Sequence, residues 1–216
     1  MNNISNEFTA KNILNLPRNW YSNHYKIELE ILESFIDVNE DEIKDSISKF
    51  SNNIKVYHSN YGDEVEIFKK IDSYTFDLKE IIKEHFPDLK RKSNFLLIIS
   101  DLERNLINFC NELKMEFHIE IDLNFKSNIF SNIEKFLKYN LKIEFKDQIL
   151  KDWNKLKFAY KIRNKIIHNG NNKLKKSLLN EFNIDNDFIF SNETNIILLN
   201  IIKSFLYLLE KQLILK

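Results

Sequence analysis

Glycine occurs only at Gly62 and Gly170, and proline only at Pro17 and Pro87, in a chain of 216 residues. This scarcity removes most ordinary turn and bulge chemistry and favours long helices over many short strands. It also excludes mechanisms. A dinucleotide fingerprint, a phosphate-cradling P-loop and a Gly-x-Ser-x-Gly elbow each need closely spaced glycines, which this chain lacks. Cys110 is the single cysteine, so neither an intramolecular disulfide nor a cysteine-based zinc cage can form, and a reducing cytoplasm is the expected setting. No apolar run approaches the roughly 18 to 20 residues of a membrane span. Met1 to Lys11 is polar and Asn-rich with no apolar signal-like stretch, so a soluble protein with no membrane partner is expected.

What is present is a large stock of core material: 43 % of residues are hydrophobic and 13 % aromatic, ample for one compact domain over 1–216. Basic and acidic residues balance at 32 each, yet they are unevenly placed. Glu28, Glu30, Glu33, Asp37, Glu40, Asp41, Glu42 and Asp45 crowd one stretch against Lys26 and Lys44. Lys151, Lys155, Lys157, Lys161, Arg163, Lys165, Lys173, Lys175 and Lys176 crowd another against Asp152 alone. The second is an electrostatic footprint suited to phosphates, or else a solvated helix face.

Hydrophobic periodicity predicts an all-α bundle of roughly five to seven helices. A first helix covers Trp20 to Ile36, with Ile27, Ile31 and Phe35 on its apolar stripe and Leu32 and Ile36 alongside. A second opens at Asn39, three residues before Glu42 as in a capping box. A third covers Glu64 to Glu84 and stops ahead of Pro87, after a loop at Tyr57 to Asp63. Phe95, Ile99, Leu102, Leu106, Phe109 and Leu113 mark the central core helix, from about Asp88 to Met115. Glu103 lies inside a neighbouring apolar line, where a buried carboxylate needs a partner. Phe117 to Phe125 alternates like a short strand or extended linker. Asn128 to Tyr139 and Glu144 to His168 are helical, the latter with Trp153, Leu156, Tyr160, Arg163 and Ile167 on one stripe. Phe182 to Phe190 is undecided, and Thr194 to Leu215 is a nearly all-apolar helix that should be buried. The N-terminal helices over 20–86 are less assignable than the core over 87–215.

The chemistry concentrates at Arg163-Asn164-Lys165-Ile166-Ile167-His168-Asn169-Gly170. Arginine holds a phosphate through two parallel hydrogen bonds, and histidine both takes and gives a proton near neutral pH, a combination suited to phosphodiester cleavage. Five residues separate Arg163 from His168, which sets them about 140° apart around a regular helix. Asn169-Gly170 is a strong helix stop, with Gly170 suited to the left-handed position just past the end, where geometry relaxes. Convergence could occur within one chain or across a two-fold axis. The alternative is that Arg163 is only a structural partner of Glu103. His118, Glu120 and Asp122 share one face of the alternating segment, but a solvated strand face accounts for them, and no metal or cofactor is expected.

The motif resembles that of the HEPN superfamily, whose active members carry an Arg, usually followed by a polar residue, four to six residues before a His. Arg163, Asn164 and His168 match it with four intervening residues. The segment from His85-Phe86-Pro87 through Leu102-Glu103 looks like the helix that pairs with the motif helix in these all-α proteins, and Trp153 fits one bacterial branch. The likeness covers roughly Phe86 to Leu215. It implies a metal-independent endoribonuclease of a toxin–antitoxin, abortive-infection or antiviral system, with Arg163, Asn164 and His168 catalytic and Glu103 supporting. It also implies a homodimer that completes the site, an antitoxin or other defence partner, and a 2′,3′-cyclic phosphate product. Lys157, Lys161, Lys165 and Lys173 are then the expected RNA contacts. Silent members exist, so a non-catalytic RNA- or partner-binding module is the alternative. The Tyr that some members carry two positions after the His is Gly170 here.

Overall fold

The computed structural model describes residues 19–58, 64–120, 128–168 and 174–215. A π-helical turn at Tyr21–Tyr25 leads into α1 (Lys26–Ser48) and a short α2 (Phe50–Asn53). A small antiparallel sheet follows, β1 (Lys55–His58), β2 (Glu64–Phe68) and β3 (Ile71–Asp72), in that spatial order. Next come α3 (Leu78–Glu80), a second π-turn (Ile81–His85) and the long α4 (Phe86–Glu116). The chain continues through α5 (Ile129–Lys135), a third π-turn (Phe136–Asn140), α6 (Asp147–His168), α7 (Lys176–Asn180) and α8 (Asn192–Ile214). The protein is a helical bundle, as its composition predicts.

The core forms where three apolar stripes meet. Phe95, Ile99, Leu102, Leu106, Phe109 and Leu113 of α4 are all buried, as their spacing predicts. Trp153, Leu156, Ala159 and Ile162 of α6 face Leu198, Ile202, Phe205 and Leu209 of α8 within the same cluster. The Trp153 ring stacks 5.2 Å from Phe130 and 5.0 Å from Phe205, with Phe145 edge-on at 5.7 Å. Its Nε1 donates to Glu134 at 2.9 Å, so the polar tip of a wholly buried indole is satisfied. A second, smaller core lies under the sheet, built from Phe50, Phe68, Leu78 and Ile82.

Several local expectations give way. The helix predicted over Glu64 to Glu84 is helical only from Leu78, through α3 and into the π-turn, and its first part is instead β2 and β3. Lys55-Val56-Tyr57-His58 and Glu64-Val65-Glu66-Ile67-Phe68 pair antiparallel, Lys55 opposite Ile67 and His58 opposite Glu64. Their β-branched and aromatic residues alternating with polar ones are the strand signal that helical spacing overrode. The helical run also passes through Pro87 instead of stopping. The Phe86 N–H donates to Ile81 O, so the π-turn shifts the bonding register where the proline lacks a donor.

Asn39 opens no second helix, because α1 is continuous through it. Asn39 is buried and donates to Asn94 Oδ1 at 3.0 Å, while Glu40 is held by Arg91, whose Nε reaches Glu40 Oε2 at 3.0 Å. The inward face of α1 is also shifted, keeping Leu32 and Ile36 of the expected apolar residues and turning the line of Ile27, Ile31 and Phe35 outward. Ile27, Ile31, Phe35 and Val38 are exposed, and Tyr25, Leu29, Ile36 and Ile43 are buried. No strand includes Phe117 to Glu120; His118 takes a positive φ of 51° in a turn, and 121–125 lie outside the described residues. Phe182 to Phe190, undecided from sequence, closes on itself through an Ile184–Phe190 bridge.

Candidate functional site

The Arg163–His168 segment forms the C-terminal end of α6, which is helical through His168. The line Trp153, Leu156, Ala159, Ile162 points into the core, and Arg163 stands one residue beyond it, half-buried against α4. Its Nη2 lies 4.0 Å from Glu103 Oε2, with the arginine side chain 22 % and the glutamate 17 % exposed. This is too long for a hydrogen bond. Arg163 Nε and Glu103 Oε2 are buried with no hydrogen-bond partner. Nη1 donates to Asn164 Oδ1 at 2.8 Å, and the guanidinium carbon lies 5.9 Å from the Tyr160 ring centroid. Tyr160, read from sequence only as part of a core stripe, is therefore half-buried beside the arginine.

The energetics of the Arg163–Glu103 contact are close to balanced. Opposite charges at this distance attract by about 4 kcal/mol at an effective dielectric of 20, and removing both from water costs a comparable amount. Asn164 constrains the guanidinium from the same helix, while its Nε edge stays uncommitted. His168 is exposed, as is Ile167, which the predicted stripe had placed in the core. Because α6 is helical to His168, Arg163 and His168 leave it about 140° apart. The Asn169-Gly170 stop lies outside the described residues, as does Lys173.

The remaining lysines separate by environment. Lys161 is exposed. Lys165 is half-buried, its ammonium 5.7 Å from the Phe188 ring centroid. Lys157 is already engaged, donating to Glu134 at 2.8 Å. Burial alone would raise the Glu134 carboxyl, but hydrogen bonds from Lys138, Lys157 and Trp153 outweigh it and bring its pKa down to about 2. Lys157 is thus a structural cation joining α5 to α6, a role hidden in the sequence because its acceptor lies 23 residues upstream. The acidic stretch is likewise partly structural: Glu33 accepts from Lys203 at 2.7 Å, and Glu42 pairs with Lys90. Among the described residues no group of three or more His, Cys, Asp or Glu side chains converges as metal ligands would, and no helix is long and apolar enough to cross a membrane.

Comparison with protein-family models, with curated proteins and with solved structures returns no match.

Proposed function

We propose that the protein is a metal-independent endoribonuclease of the HEPN kind, acting as a toxin or in antiviral defence, with Arg163, Asn164 and His168 in its active site. The observation that carries this reading is the pairing of a half-buried guanidinium, its Nε unpartnered, with an exposed imidazole one and a half turns further along a basic helix. In-line cleavage needs a base for the 2′-hydroxyl proton, an acid for the departing 5′-oxygen and positive charge beside the phosphorane. An imidazole serves as base or acid, contributing about 10² to 10⁴ in rate. A guanidinium steadied by Asn164 stabilises the developing negative charge on a similar scale. The 2′-oxygen forms a bond to phosphorus, the bond to the 5′-oxygen breaks, and a 2′,3′-cyclic phosphate remains.

Because the two side chains diverge on one helix, the reading includes a homodimer in which a second copy brings its own Arg and His to the same cleft. Lys161 and Lys165 then line the approach of the RNA backbone. Incubation of the purified protein with RNA in EDTA should give fragments ending in cyclic phosphate, and His168→Ala should lower cleavage at least 10²-fold. No cleavage by the wild type, or undiminished cleavage by His168→Ala, overturns the proposal.

A second reading, a non-catalytic RNA- or partner-binding module, draws on Glu103 of α4, whose carboxylate lies 4.0 Å from the Arg163 guanidinium where a catalytic arginine would meet a phosphate. It predicts salt-sensitive RNA binding that weakens in Arg163→Ala while no substrate is cut.

A further inference from the structure

Away from Arg163, a groove of about 600 Å³ opens between α1, the start of α4 and the sheet. Its walls are apolar and partly aromatic: Phe35 and Ile43 from α1, Phe68 from β2, Ile82 from the π-turn, Phe86 and Leu97 from α4. Phe35 and Leu97 are 48 % and 43 % exposed, so the groove is reached from solvent without rearrangement. Its volume lies in the range of pockets that hold small organic molecules. One wall belongs to the π-turn ahead of Pro87, a helix irregularity of the kind often found at binding sites.

The polar groups in this lining are specific. Asn39 and Asn94, each more than nine-tenths buried, both line the groove. They share one hydrogen bond, Asn39 Nδ2 to Asn94 Oδ1 at 3.0 Å. Among the described residues no other hydrogen bond reaches either side chain, which leaves Asn39 Oδ1 as a free acceptor and Asn94 Nδ2 as a free donor. Neither atom is among the buried side-chain atoms that lack a partner, so solvent reaches both, and a ligand that displaces this water must replace its hydrogen bonds. The charges at the rim are few: Lys90 is paired with Glu42, and the exposed Lys69 lies with its ammonium 5.9 Å from the Phe68 ring centroid.

We propose that this groove is a binding site for a small, uncharged aromatic amide. The ring lies among Phe35, Phe68 and Phe86, the ligand N–H donates to Asn39 Oδ1, and its carbonyl accepts from Asn94 Nδ2. A charged ligand would lose its hydration among walls that are mostly apolar, and a plain hydrocarbon would displace the water from both amides without replacing its hydrogen bonds. The site is independent of the proposed ribonuclease chemistry: Asn94 and Glu103 are nine residues apart on α4, about 14 Å along its axis.

The test is titration of the methyl-labelled full chain with 2-naphthamide, followed by NMR. Saturable shifts are expected at the methyls of Ile43, Ile82 and Leu97. 2-Acetylnaphthalene, which keeps the ring and carbonyl but lacks the N–H, should bind about tenfold more weakly, the loss of one hydrogen bond. Ser93→Trp and Ser46→Trp, each filling the groove from an exposed position of its lining, should each abolish the shifts in a protein whose remaining spectrum is unchanged. Absence of saturable shifts, equal affinity for the two naphthalenes, or shifts that survive both tryptophan variants overturns the proposal.

Discussion

Glu134 shows how much a single side chain can organise. It accepts from Lys138 in its own helical run, from Lys157 one helix away and from the indole of Trp153. Because its folded pKa, about 2, lies below the ordinary 4.5, its contribution to stability is present above pH 4.5 and is lost as the pH falls toward 2. Glu134→Gln should therefore be less stable than the wild type at neutral pH, and the difference should vanish by about pH 2, as urea midpoints measured across that range would show. Arg163 is the contrasting case. Its nearest carboxylate is beyond hydrogen-bond reach and its buried Nε is unsatisfied, so the fold gains little from it.

At the scale of the element, irregularities are placed where the sequence changes the bonding rules. The Ile81–His85 π-turn precedes Pro87, and the chain stays helical by shifting register. Upstream, Asp77 starts that run by accepting from the N–H groups of Lys79 and Glu80 at 2.9 and 3.1 Å. Asp77→Ala should cost about 1 kcal/mol in chemical denaturation with an unchanged m-value, the usual loss for an N-cap. A loss below about 0.3 kcal/mol would mean that tertiary packing alone holds this helix start. The sheet is secured from one face only: β1 is exposed throughout, and Phe68 at the end of β2 drops into the smaller core.

For the whole molecule, stability rests on the core shared by α4, α6 and α8, with α1 laid along it through a polar seam. Tyr25 donates to Asp101, Asn39 to Asn94, Arg91 to Glu40, and the Ser22 N–H to Glu210. That seam selects the face of α1 turned inward. Leu102→Ala should accordingly destabilise by about 2–5 kcal/mol, whereas Ile31→Ser, on the stripe that periodicity had assigned to the core, should change stability by about 0.5 kcal/mol or less. Urea unfolding of the two variants measures both, and a large loss for Ile31→Ser would mean that α1 is covered on its outer face.

The amino-acid sequence by itself determined the helical class, the extents of α4, α6 and α8 to within a few residues, the buried line from Phe95 to Leu113, and the position of the Arg163–His168 segment at a helix end. These are local properties: spacing along the chain reports a helix and its apolar stripe wherever only one stripe is apolar. The tertiary structure alone decided the rest. α1 carries two apolar stripes, and the choice of Leu29 and Ile36 over Ile27 and Ile31 depended on what α4 and α8 presented to it. Asn39 and Glu40 became interior residues because Asn94 and Arg91 faced them. Lys157 was drawn away from the basic surface by Glu134, and Arg163 was brought to Glu103, 60 residues earlier in the chain. Such pairings have no local signature, because each depends on a distant residue that folding alone brings close.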